Sequence, residues 1–72
     1  MEINWVKVYT LTDAIRTELY KQFLEENGIP AVVLNKQDSA FKFGKIELYV
    51  SDVNFNEAVL LLANNFDIVD EN

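Results

Sequence analysis

The chain contains no cysteine and no histidine among its 72 residues. Without cysteine there is neither a disulfide framework nor thiol chemistry. Without histidine the chain lacks the commonest general base and the commonest ligand of transition metals. No serine or threonine stands in a known nucleophile motif, and the adjacent carboxylates Glu25 and Glu26 point about 100° apart on a helix. We therefore expect no enzyme, no metal site and no cofactor.

Basic residues are also scarce. Six Lys and Arg stand against twelve Asp and Glu, which gives a net charge of −6. That charge opposes binding to nucleic acid or to anionic lipid over a broad surface. No apolar run is long enough to span a bilayer, and no basic-then-apolar segment opens the chain. We expect a cytoplasmic protein with neither a membrane nor a nucleic acid as partner.

Hydrophobic residues make up half of the sequence, which excludes a disordered chain. The length suits a single domain, residues 1–72, with a small core. The chain is organised around residues 12–35, which predict an amphipathic helix, a glycine stop and a buried strand. The stripe that we expect to be buried consists of Ile15, Leu19 and Phe23, widened by Tyr20 and Leu24.

Capping residues mark both ends of this first helix. Thr12 or Asp13 is expected to accept a backbone N–H at the start of the helix. Gly28 is expected to end the helix, because glycine adopts a positive φ without a Cβ penalty. Pro30 prevents the helix from resuming.

The remaining chain predicts strands, a loop and a second helix. Strand patterns occupy residues 3–9, 31–35, 45–50 and 66–69, and residues 36–44 predict a loop. The second helix follows Ser51 or Asp52 as cap and ends at Asn64 or Asn65, with an apolar stripe of Phe55, Ala58, Val59 and Leu62. The order β-α-β-β-α-β predicts an α+β, ferredoxin-like fold, with a four-stranded antiparallel sheet and two helices on one face.

In this arrangement the first and third strands are antiparallel neighbours. Pairing Lys7 with Glu47 would set opposite charges across the two strands. The same register sets Trp5 against Tyr49 and places Tyr9 near residue 45.

Three segments resemble a known bacterial family. They are WVKVY at 5–9, LEENGIPAVVLN at 24–35 and the glycine followed by IELYV at 44–50. These segments resemble the "putative signal transducing protein" family, a domain of unknown function with a P-II-like (GlnB-like), ferredoxin-like fold. Many members have a proline at the start of the first helix, where this chain has Ala14 and Ile15. The resemblance implies the fold and a role in signal transduction, and it implies no catalytic motif and no established ligand.

The first candidate site is the sheet face without helices. The aromatic side chains expected there are Trp5, Tyr9 and Tyr49, extended by Phe41 and Phe43 from the loop. Such a patch predicts a homodimer interface, a face covered by the chain's own loop, or a platform for a peptide or small molecule. RNA-recognition domains also carry aromatics on these strands, but the basic residues that accompany them are missing here.

The second candidate site is the loop, where Lys36, Lys42 and Lys45 give residues 36–45 a local charge of +2. These lysines either bind a small anion or belong to a solvated hairpin. We expect a non-enzymatic regulatory module that binds itself, as a homodimer or larger, or another protein. The alternative is a sensor of a small anionic metabolite, and a less favoured one is an RNA-binding module.

Overall fold

Three strands and two helices make up residues 2–37 and 44–67, the part of the chain that a computed structural model describes. They are β1 (Trp5–Leu11), α1 (Ala14–Glu26), β2 (Ala31–Asn35), β3 (Ile46–Ser51) and α2 (Phe55–Asn65), the last preceded by a 3-10 turn at Asp52–Asn54. The strands form an antiparallel sheet in the order β1-β3-β2. Side chains of both helices share one core with the strands. The predicted α+β class is confirmed, and the strand order is compatible with the ferredoxin-like arrangement.

The side chains of the central strand β3 alternate between the two faces of the sheet. Ile46, Leu48 and Val50 are buried on the helix side, while Glu47 and Tyr49 point to the other side. Burial of each of the three aliphatic side chains contributes about 1.5–3 kcal/mol. The alternation predicted for this strand is therefore confirmed.

Helix α1 begins and ends as predicted. The carboxylate of Asp13 accepts hydrogen bonds from the backbone N–H groups of Ile15 (2.9 Å) and Arg16 (3.1 Å). At the other end Gly28 has φ of 80°, and the N–H of Ile29 donates to the carbonyl of Leu24 at 2.9 Å. This is a Schellman motif, which satisfies carbonyls that the helix leaves open.

The predicted buried stripe of α1 is wrong in two positions. Ile15 and Leu19 are exposed, and the buried residues are Thr17, Tyr20 and Leu24. The helix is thus rotated about its axis relative to the prediction, and the ring of Tyr20 packs on Phe66, with ring centroids 4.8 Å apart. Burial of Thr17 is tolerated because its hydroxyl donates to the carbonyl of Asp13 at 2.8 Å. The predicted partner Phe23 is half-buried and also contacts Phe66.

The strand predicted at residues 66–69 is absent from its described half. The N–H of Phe66 donates to the carbonyl of Leu62 at 2.9 Å, so Phe66 closes α2 instead of entering the sheet. Asp67 lies outside any strand as well, and residues 68 and 69 lie outside the described residues.

Helix α2 agrees with its predicted stripe. Ala58 and Leu62 are buried and Phe55 and Val59 pack against the core, and the helix ends at Asn65. Ser51 precedes the 3-10 turn without forming a side-chain cap.

The predicted register between β1 and β3 is wrong by two residues. Lys7 lies opposite Tyr49, and Trp5 lies opposite Ser51. A bulge between Lys7 and Tyr9 then shifts the ladder, so that Tyr9 faces Leu48 and not residue 45. Lys7 still reaches Glu47, because side chains on diagonal positions of one face remain within reach.

The rotation of α1 predicts unequal costs for two aliphatic truncations. We expect Leu24→Ala to lower the free energy of unfolding by about 2–5 kcal/mol, since it leaves a cavity in the core. Ile15 is 76% exposed, so Ile15→Ala should change the free energy by about 0.5 kcal/mol or less. Urea unfolding of both variants measures the difference, and equal losses would contradict the rotation.

The two glycines with positive φ predict a second ordering. At Gly28 an added Cβ meets no atom within 4 Å, so Gly28→Ala should cost about 1–2 kcal/mol from backbone strain alone. At Gly44, with φ of 105°, an added Cβ would lie 2.7 Å from the carbonyl oxygen of Lys36. Gly44→Ala should therefore be the more destabilising substitution in the same urea experiment, and the reverse order would be evidence against this backbone geometry.

Candidate functional site

The sheet face opposite the helices carries a set of exposed apolar side chains around a group of charges. We call it the open face and define it by its members: Trp5, Lys7, Val32, Leu34, Glu47 and Tyr49. The register arranges them in rows across the sheet. Lys7, Tyr49 and Val32 form one row, because β3 pairs with both of its neighbours at Tyr49.

Apolar surface occupies both sides of this face. Trp5 is 41% exposed on β1, and Val32 and Leu34 are 43% and 46% exposed on β2. Tyr49 stands between them on β3 and is half-buried. A cluster of exposed large apolar side chains of this kind is typical of a contact surface.

The charged side chains at the centre of the open face pair with one another. The carboxylate of Glu47 lies 3.2 Å from the ammonium of Lys36 and 3.5 Å from that of Lys7. The hydroxyl of Tyr49 donates a hydrogen bond of 2.8 Å to the same carboxylate. The Glu47 side chain is only 12% exposed, while both lysines remain partly in solvent. The cluster therefore presents its lysines outward and its carboxylate inward.

These contacts shift the pKa values of two side chains, Glu47 and Tyr49. The hydrogen bond from Tyr49 lowers the pKa of Glu47, burial opposes this shift, and Lys36 and Lys7 add to the lowering. The pKa of the Tyr49 hydroxyl is raised, first by its hydrogen bond to Glu47, then by burial and by the charge of Glu47. At neutral pH Glu47 is thus ionised and Tyr49 protonated, which is the pair of states that the hydrogen bond requires.

The structure separates the predicted aromatic residues. Trp5 and Tyr49 lie on the open face, as the alternation predicts. Tyr9 does not join them, because the bulge after Lys7 sets it opposite Leu48 and packs it against the core. Phe41 and Phe43 lie outside the described residues.

The predicted anion loop is represented by two of its three lysines. Lys36 is bound to Glu47, and its backbone N–H donates to the carbonyl of Lys45 at 2.9 Å. Lys45 is exposed, and Lys42 lies outside the described residues. The base of this connection is tied to the β1–α1 turn by Gln37, whose amide donates to the carbonyl of Thr12 at 2.7 Å.

Sequence reasoning missed the contribution of β2 to the open face. The run at residues 31–35 reads as wholly buried because all but its last residue are apolar. Its register places Val32 and Leu34 on the open face and Ala31 and Val33 toward the core. Alternation with a period of two places these residues on opposite faces, but it cannot be recognised in a run whose residues are apolar on both faces.

The rest of the described surface offers fewer features that could bind a ligand. A groove of about 260 Å³ is lined by Arg16, Leu19, Tyr20, Phe66 and Asp67. Residues 2–37 and 44–67 contain no group of three or more carboxylates placed to hold a metal ion. Neither helix is long and apolar enough to cross a membrane, a finding that applies to the same residues.

The lowered pKa of Glu47 predicts a stability difference that depends on pH. A carboxylate with a lowered folded pKa stabilises the fold above its ordinary pKa near 4.5, and this stabilisation is lost as pH falls through the folded pKa. We expect the wild type to be more stable than Glu47→Gln at pH 7, with a gap that narrows below about pH 4.5. Urea unfolding across pH measures the gap.

The matched control for this experiment is Glu18→Gln, which changes an exposed carboxylate on α1. Its effect at neutral pH should be the smaller one, since an exposed side chain gains little from its surroundings. A Glu47→Gln gap that stayed constant from pH 7 to pH 3 would argue against the ion cluster.

Comparison with known proteins supplies a family. A family model described as "Putative prokaryotic signal transducing protein" matches residues 5–65. The match includes all three strands and both helices described above. No curated protein and no solved structure matches the chain significantly. The resemblance noted in the sequence is confirmed, and the chain belongs to the family described as "Putative prokaryotic signal transducing protein".

Proposed function

We propose that the protein is a non-enzymatic regulatory module that acts by binding through its open face, and that its first partner is a second copy of the chain. The observation that carries this proposal is the exposure of Trp5, Val32 and Leu34 around a charge cluster that is already paired. Burying exposed apolar surface on association lowers the free energy. Ion-paired side chains lose less hydration free energy on burial than isolated charges would. The family name, which describes signal transduction, agrees with a binding role.

Charge opposes a second copy less at this face than over the rest of the acidic surface. Lys7, Lys36 and Glu47 give the cluster a net charge of +1. The chain carries −6 in total, so the remaining residues carry −7. Two copies therefore repel each other over most of their surfaces and least where their open faces meet.

The size of the open face sets the strength of the association. Three strands about 4.8 Å apart and six residues of about 3.4 Å each cover roughly 300 Å² in projection. Stable interfaces bury about 800 Å² on each partner. Contact through one open face alone should therefore be weak, reversible and dependent on concentration, which suits a regulatory module.

The anion-sensor alternative receives less support from the described contacts. Its predicted cluster shares Lys36 with Glu47, which neutralises one of the three lysines. The RNA-binding alternative needs cationic side chains around stacked aromatics. The open face instead has a carboxylate at its centre, held by Tyr49.

The proposal predicts a loss of association when the aromatic part of the open face is made polar. We expect the double variant Trp5→Ser, Tyr49→Thr to have a lower average mass than the wild type at equal concentration, because apolar contact area is removed. Light scattering across a concentration series measures the mass, and circular dichroism checks that the variant is folded.

A control changes exposed apolar residues of α2 and of the 3-10 turn before it, outside the open face. Leu60→Ser with Val53→Thr also replaces two apolar side chains by polar ones, and both side chains are strongly exposed. This control should keep the wild-type mass. The proposal fails if the control and the open-face variant associate alike.

A further inference from the structure

The outer edge of β2 has backbone groups available for pairing. In the described sheet only β3 lies beside β2. The N–H of Lys36 donates to the carbonyl of Lys45, and this pair is in register with the β2–β3 ladder. Hydrogen-bonded pairs alternate in an antiparallel ladder, so Val32 and Leu34 direct their backbone groups toward β3. The backbone groups of Ala31, Val33 and Asn35 consequently point away from the sheet.

Within the described ranges, the outward-pointing N–H and C=O groups of Ala31, Val33 and Asn35 form no hydrogen bond with another residue. Natural edge strands commonly prevent pairing with a charged side chain, a proline or a bulge. The strand AVVLN contains no charge and no proline, and its register with β3 is regular. Lys36, the next residue, is held by Glu47. Among residues 2–37 and 44–67, nothing pairs with this edge of β2, which leaves it able to accept another strand.

We propose that β2 pairs antiparallel with β2 of a second copy, around a two-fold axis beside Val33. In this register Val33 faces Val33 of the second copy, and Ala31 faces Asn35. Each of the three outward residues then exchanges two backbone hydrogen bonds with its opposite number, which gives about six between the chains. A shift by two residues would leave outward groups unpaired, so the register centred on Val33 is the most complete one.

Side chains agree with this register. Val32 of one copy lies directly opposite Leu34 of the other on the open face, which sets two exposed apolar side chains against each other. Lys36 falls opposite Pro30, so no like charges meet. The segment from residue 28 to residue 36 contains no acidic residue, in a chain that has twelve.

The pairing enlarges the surface on which the proposed function rests. The two sheets become one sheet of six strands, and the two open faces lie side by side on the same side of it. The projected area rises from roughly 300 to roughly 600 Å². Face-to-face contact between such sheets then approaches the area that stable interfaces need.

A disulfide experiment tests the register directly, because the chain has no cysteine of its own. Val32→Cys and Leu34→Cys are prepared separately, mixed in equal amounts and oxidised. Cα atoms of directly opposite residues that are not hydrogen-bonded lie about 4.5 Å apart, within the range of about 4.4–6.8 Å that a disulfide needs. Residues of the same number are diagonal, about 7–8 Å apart.

We expect crosslinked dimer in the mixture, with each variant alone giving little. Because the association is reversible, chains exchange partners during oxidation, so crosslinked dimer can accumulate beyond the pairs that first combine the two variants. A mixture that crosslinks no better than the single variants, while light scattering shows an oligomer, would overturn the β2 pairing and leave the proposed self-association standing. A monomer at every concentration, without crosslinks, would overturn both.

The open-face double variant tests the converse case, in which the open-face contact is lost and the β2 pairing remains. Trp5 lies on β1, on the far side of β3 from β2. Adding Trp5→Ser and Tyr49→Thr to both cysteine variants should lower the average mass before oxidation and leave the crosslink in place. An unchanged mass with a persistent crosslink would overturn the open-face contact and support the β2 edge.

Discussion

The alternation of β3 is the constraint on which the rest of the structure depends. Ile46, Leu48 and Val50 lie under the helices, and this leaves Glu47 and Tyr49 on the opposite face. Because β3 pairs with both other strands, its register decides which residues of β1 and β2 share each face. A shift of β3 by one residue would bury the charge cluster and expose the aliphatic side chains.

The open face combines exposed apolar surface with charges that satisfy one another. Glu47 is bound by Lys36, Lys7 and Tyr49, so the centre of the face holds no isolated buried charge. Apolar side chains from all three strands surround this centre. In a chain with a net charge of −6, a cluster with a net charge of +1 thus lies beside exposed apolar surface, and apolar surface of this kind is typical of a contact site.

Local signals were sufficient for much of the fold. Asp13 and Gly28 bound α1 through contacts with residues of the same helix or turn, and such contacts can be predicted from a short sequence window. The buried face of α1 contacts Phe66, which is 46 residues beyond Tyr20 in the chain, and a contact over that separation leaves no signal in a short sequence window. The register was already wrong by two residues at Lys7, and the bulge before Tyr9, which has no local signature, made the position predicted for Tyr9 wrong as well. Trp5 and Tyr49 were predicted on the open face because alternation places them there, but the contribution of β2 was hidden by its uniformly apolar sequence.

The most direct test of this account is the solution mass of the unmodified protein across a wide range of concentration. Weak self-association should give an average mass that rises with concentration above the 8.3 kDa of one chain, because each single contact is small and reversible. Static light scattering coupled to size-exclusion chromatography gives this mass without a label. A mass that stays at that of one chain up to millimolar concentration would contradict the account.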